Sequence, residues 1–295
     1  IIQNNLQLSF DDLKTLTQEP EKAIVNIELQ NTLIDFDELF ILLPKLKSNV
    51  SLTKMQHEKL QINSIINGTL QELQIKELKL FALNGSSLTA NGKLINVLDT
   101  KKLAFDINIL PSQILKQDIA KFVVFDKAAY SELPSIITLQ GNATGNLNDM
   151  ITNINLDGNQ FLLNAHARLL QVNDIQKLHY DANIKAFNIQ RELILAFIPK
   201  EKFPKNIELP KTILLSGTAK GDVNHIATNL KLDGSYGQIL ANGYINNFKQ
   251  SNLATYDLKI GTNRFLIGKL LKQDTLLGSL SMRTLIKGKG FDINT

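Results

Sequence analysis

The chain has 295 residues, ample to bury a core, and 43% of them are hydrophobic; with aromatics at 6% and no Trp, aliphatic groups must carry the apolar surface. Its 32 basic and 28 acidic side chains leave a net charge of +4, too mild and too evenly scattered for a nucleic-acid track, so no nucleic-acid partner is expected. The absence of cysteine excludes disulfides and thiolate metal sites and suits a reduced cytosol and an oxidising periplasm alike.

The opening residues, IIQNNLQLSF, lack an initiator Met, a basic region and a cleavable apolar core, so the chain reads as one continuous fragment of a longer protein without a signal peptide. The runs LFILL and LILAFI are far shorter than the roughly 20 residues of a membrane span. In chain order, residues 1–50 form a partial module ending in the helical pattern DFDELFILLPKL, where Asp35 and Glu38 make a capping box and Phe36, Leu39, Phe40 and Leu43 line one side. Full modules follow at 51–127, 128–204 and 205–275, and a further one starts at 276–295. Their closing helical patterns are SQILKQDIAKF after Ser112, NIQRELILAF after Asn188 and NRFLIGKLLK after Asn263. These read either as connectors packed on a sheet edge or as the rim of a groove.

The modules declare themselves by repetition. Residues 139–158, LQGNATGNLNDMITNINLDG, match residues 215–234, LSGTAKGDVNHIATNLKLDG, at ten of twenty positions. At the same offset of 76 residues, ELPSIITLQG from Glu132 aligns with ELPKTILLSG from Glu208, and YDANIKAFN from Tyr180 with YDLKIGTNR from Tyr256. Weaker echoes stand at Ile66, Thr89 and Phe105, and IKGKGFDIN at Ile286 resembles TAKGDVN at Thr218. Such repetition signals an array of stacked units.

Within each module the dominant period is two, the mark of half-buried strands, and short Asn, Asp and Gly turns join them into an antiparallel meander. The expected fold is all-β with a few short helices: an elongated, curled antiparallel sheet forming an open hydrophobic groove. Around fourteen strands would present an apolar face on the order of 1300 Å², more than monomers leave bare. A curled sheet either fills that interior with side chains or receives a greasy ligand. The alternation assigns to the lining Leu139, Ala143, Leu147, Ile154, Leu156, Leu163, Ala165, Tyr180, Ala182 and Ile184. In the third module it assigns Leu215, Ala219, Val223, Leu230, Leu232, Ile239, Ala241, Ile245, Tyr256, Leu258 and Ile260. Many inward residues are small, among them Gly141, Gly145, Gly217, Gly221 and Gly243; they either leave room for a ligand or mark bends.

The ordered series of LPxxIxLxG at Leu133, GxAxGxxN at Gly141 and Gly217, NLKLDG, and YDLKIGTNRFLIGKLLKQDTLLGSL resembles the TamB branch of the AsmA-like proteins, of Bacteroidetes type. The resemblance covers most of the chain and rests on the series, since each motif alone is degenerate. It implies a periplasmic β-taco that carries phospholipid between inner and outer membranes, linked to outer-membrane protein assembly. It also implies an inner-membrane anchor and a TamA- or BamA-like outer-membrane barrel as partner, both met through regions outside this stretch. A structural β-solenoid, or a scaffold to which a client strand adds, is the rival expectation.

Catalytic chemistry finds no foothold in the sequence. His57, His166, His179 and His225 have no partners at metal-ligand spacing and read as solvated surface groups. There is no GxSxG, no Walker loop and no complete GxGxxG. Asp157 and Asp233 precede turn glycines, and Asp181 and Asp257 fall on the outward face. Neither enzymatic activity nor a cofactor or metal is expected.

Overall fold

A computed structural model describes residues 4–42, 44, 47, 53–82, 84–99, 101–198, 203–250 and 252–290. Alternating apolar and polar residues form fifteen strands among the described residues, and the chain divides into two compact units. The first unit comprises Ile1–Asp126 and Pro134–Asn146 and the second Lys127–Leu133 and Leu147–Thr295.

The first unit contains β1 (Asn5–Ser9), β2 (Ile24–Asp35), β3 (Lys59–Thr69), β4 (Glu72–Ala82), β5 (Ser86–Ile95), β6 (Ala104–Leu115) and β7 (Ile136–Gly145). Each strand pairs antiparallel with the next in the chain. The second contains β8 (Asp149–Asp157), β9 (Phe161–Leu170), β10 (His179–Gln190), β11 (Thr212–Asp222), β12 (His225–Gly234), β13 (Gly237–Asn246), β14 (Thr255–Leu266) and β15 (Ser279–Lys289), again paired in order. In neither unit do the described residues pair the last strand back to the first, so each sheet is open.

Every fourth strand is long and interrupted at the same place. β2, β6, β10 and β14 each run for 12 residues, and their registers shift between Leu29 and Thr32, Ile109 and Ser112, Ile184 and Phe187, and Thr262 and Phe265. A bulge bends its strand and raises the local twist. In β6 the kink is held by Ser112, only 3% exposed, whose hydroxyl donates to the Leu110 carbonyl at 2.7 Å and accepts the Thr89 amide at 2.9 Å.

A helix follows each of these strands without a loop: α2 (Phe36–Leu42), α3 (Lys116–Phe122), α5 (Arg191–Ala196) and α6 (Ile267–Leu270). The last three begin later than the sequence pattern suggested. Gln113, Ile114 and Leu115 pair with Thr138, Ile137 and Ile136, because beyond the bulge the backbone still has a partner strand to satisfy it. Two short helices, α1 (Leu13–Gln18) and α4 (Lys127–Glu132), were not visible in the pattern. α4 packs on α5, with Ala129 and Leu193 both buried.

The tightest core lies under α2. Asp35 caps that helix, accepting the amide of Asp37 at 2.9 Å. Phe36 and Phe40 are buried with Met55, and Leu39 and Leu60 pack against them. Leu43, expected on the same side, lies outside the described residues.

The outward faces explain the repeated Asn-rich phrase. The Asn153 Oδ1 accepts from His166 Nδ1 at 3.0 Å, and Asn164 donates to the Asn155 Oδ1 at 2.6 Å, so amides bridge neighbouring strands where side chains meet water. Charged pairs do the same: Lys220 with Asp181 at 3.0 Å and Lys287 with Asp257 at 2.7 Å. Arg168 clamps Asp149 through two bonds of 2.9 and 2.6 Å, and that hydrogen-bonded guanidinium holds the carboxyl below its usual range.

Candidate functional site

In an antiparallel sheet, residues directly opposite one another share a face, so register alone places the expected lining of the second unit. One row runs Leu156, Leu163, Phe187, Leu215, Leu232, Ile239 across β8 to β13. The next runs Ile154, Ala165, Ile184, Gly217, Leu230, Ala241, Ile260. A third is Thr152, Ala167, Ala182, Ala219, Thr228, Gly243, Leu258, and a fourth Met150, Leu169, Tyr180, Gly221, Ile226, Ile245, Tyr256. These rows contain no charged residue, and β15 continues them with Met282, Thr284, Ile286 and Gly288.

Thr228 of the third row and Thr262, which pairs with Ile239 at the end of the first, turn their hydroxyls to the backbone. Thr228 donates to the Thr218 carbonyl at 3.1 Å and Thr262 to that of Leu280 at 3.0 Å, which leaves their methyl groups to the face. Like Tyr256, Tyr180 brings a phenol to the fourth row. Burial pushes its phenol up, and the Asp222 carboxylate adds to the rise. Asp222 itself is held low, mainly by the amide of Asn224, which donates to it at 2.7 Å across the β11–β12 turn.

Two of the expected residues fall outside the rows. Leu147 stands in the turn before β8 and is 46% exposed, and Val223 is in the turn after β11. Leu139 and Ala143 belong to the first unit, where they pair with Ser112 and Ile107. There the same geometry forms rows such as Ile27, Ile66, Ile75, Gly92, Ile107, Ala143.

Most of the lining is half-buried: of the row residues just named in the second unit, Ala165 and Ala167 alone are buried. Side chains shield one another along the rows without a second layer sealing them, as a packed core would. The total exposed surface agrees, at 18726 Å² against about 12,500 Å² for a compact protein of 33.0 kDa.

The glycines in these rows are bend positions and not simply gaps. Gly217 has φ of 128° and Gly243 of 145°, and a Cβ at either would strike a carbonyl oxygen of the neighbouring strand, that of Asn229 or Asp257. Their task is close approach between backbones, which is what a strongly twisted sheet needs.

Sequence reading missed two adjoining cavities at the helical edge of the second unit, around α5, residues 203–209 and α6. Their signal was present in Arg191, Lys269 and Lys272, basic residues set beside the apolar runs LILAFI and FLIGKLL.

Fold and face together define an antiparallel β-sheet protein whose open sheet carries one uncharged aliphatic side and one hydrogen-bonded polar side. The chain matches no family model, no curated protein and no solved structure.

Proposed function

We propose that the aliphatic rows hold the acyl chains of phospholipid, and that the chain is a length of a bridge-like periplasmic carrier between inner and outer membranes. The TamB-like motif series motivates the carrier. The observation that carries the lipid reading is the uncharged face running from β8 to β15, half-buried as far as β14, opposite a polar one. At about 0.8 kcal/mol per buried CH₂, a sixteen-carbon chain laid along it recovers on the order of 10 kcal/mol of the cost of leaving a bilayer. An aliphatic wall without charged anchors offers no deep trap, so a chain slides along it once entered. Contact with an outer-membrane barrel of TamA or BamA type belongs to the same proposal.

Photocrosslinking side chains at Leu232 or Ile260 are expected to capture phospholipid in cells, while those at the exposed, outward Lys231 or Lys259 are not. Equal labelling on both faces, or capture of polypeptide in place of lipid, overturns the reading. Solvent extraction of the purified chain followed by mass spectrometry provides an independent measure, with about one or more phospholipids per chain expected.

A further inference from the structure

The cavities at the helical edge differ in character and share part of their lining. One, of about 580 Å³, has an apolar wall of Leu195, Ile198, Phe203, Ile207 and Leu209. The other, of about 690 Å³, lies against the β12–β13 turn and is lined by Ser235, Tyr236, Lys211 and Lys269. Arg191, Glu208 and Lys272 line both. Each volume is within the roughly 300–1,000 Å³ of small-molecule sites.

Charge is unevenly spent there. Arg191 engages both nearby glutamates, Glu208 at 3.2 Å and Glu192 at 3.3 Å, and also donates to the Leu209 carbonyl at 3.1 Å. Lys272 donates to the Lys205 carbonyl at 2.8 Å, which tethers the end of α6 to the segment forming the apolar wall. With both glutamates occupied by Arg191, Asp274 is the remaining carboxylate in the polar cavity beside Lys211, Lys269 and Lys272. Burial and the charge of Glu208 raise the Tyr236 phenol.

We propose that this edge binds an anionic lipid, its phosphate held by Lys211, Lys269 and Lys272 and its acyl chain laid on Leu195, Ile198, Phe203, Ile207 and Leu209. A zwitterionic head brings a cation of its own against the lysines, so the site discriminates by headgroup charge. The inference rests on the reading that the chain handles lipid, and it adds a headgroup-selective station to a face that has no selectivity.

Lysophosphatidylglycerol, lysophosphatidylcholine with the same tail, and glycerol 3-phosphate are titrated into the purified, delipidated chain below micelle-forming concentrations. The glycerol lipid is expected to bind about fivefold or more tightly than the choline lipid, and the Lys211→Glu/Lys269→Glu variant to abolish the difference. Both lysines are exposed, and the Lys272 tether to the Lys205 carbonyl is left in place. Equal affinity for the two lipids, an unchanged preference in the variant, or glycerol 3-phosphate binding as well as the lipid overturns the proposal, the last by assigning the site to free phosphate. A diazirine-tailed lysophosphatidylglycerol separates this site from the rows. Labelling confined to β12–β14 sinks the edge site and leaves the aliphatic face standing, and labelling confined to residues 191–209 does the reverse.

Discussion

Asp118 is 2% exposed, at the start of α3, and nothing in its local pattern marks it for burial. Its carboxylate accepts the Asn84 amide at 3.0 Å and side-chain nitrogen at 2.6 Å, with the Ser86 hydroxyl at 2.6 Å and amide at 3.3 Å. Burial pushes its pKa up, but the bonds from Ser86 and Asn84 together outweigh it and hold the group below the usual carboxylate range. The unfolded chain therefore takes up the proton before the folded one does. The clamp's contribution is complete above pH of about 4, the ordinary aspartate value, and declines as pH falls through the folded value. Asp118→Ala is expected to cost about 2–3 kcal/mol at neutral pH, since it strands several donors. In urea titrations across pH the gap between wild type and variant should close in acid; a gap independent of pH contradicts an ionised clamp. Clamps of this kind escape sequence reading because Asn84 and Asp118 are joined by a turn and a helix 34 residues apart. Gly217 and Gly243 escaped in part for a related reason: their spacing placed them on the apolar face, but the nearness of another strand's backbone depends on sheet twist.

At the scale of elements, alternation fixed both faces of the second unit because a strand's side chains change sides at every residue and the turns between strands are short. Nearly all the expected lining residues of β8 to β14 therefore fall into aligned rows, while Leu147 and Val223 were lost to turns whose ends the period cannot locate. The helices were less legible, since α2, α3, α5 and α6 begin only after a bulged strand has resumed its pairing, and neither the bulge nor the resumed pairing has a periodic signature. α2 is the element whose packing can be weighed. Phe40 is 2% exposed and its ring lies 6.0 Å from that of Phe36, with Met55 and Leu60 beside them. Phe40→Ala is expected to cost about 3–4 kcal/mol, the usual range for a deleted buried ring. Loss should be local: hydrogen exchange at Asp37 to Leu42 quickens by about two orders of magnitude or more while the amides of β4 and β5 keep their protection. Exchange that quickens equally throughout the first unit would instead make α2 part of its cooperative core.

For the molecule as a whole, the decisive quantity is the surface left in contact with water. An unfolded chain of 33.0 kDa exposes about 48,000 Å², so with 18726 Å² exposed when folded, only about three fifths is buried, against about three quarters for an ordinary chain of this length. Heat capacity of unfolding follows buried apolar area. The delipidated chain is therefore expected to show about 10–12 cal/mol/K per residue in place of the usual 12–15, measured from the dependence of unfolding enthalpy on melting temperature as pH is varied. Bound lipid changes this in a direction that tests the face directly. Acyl chains seated on the rows remove apolar area from water in the folded state and give it up on unfolding, so the lipid-loaded chain should move toward the ordinary value and melt higher. If the delipidated chain already unfolds with an ordinary heat capacity, its aliphatic side is covered by protein in solution, and no room is left on the rows for a lipid to occupy.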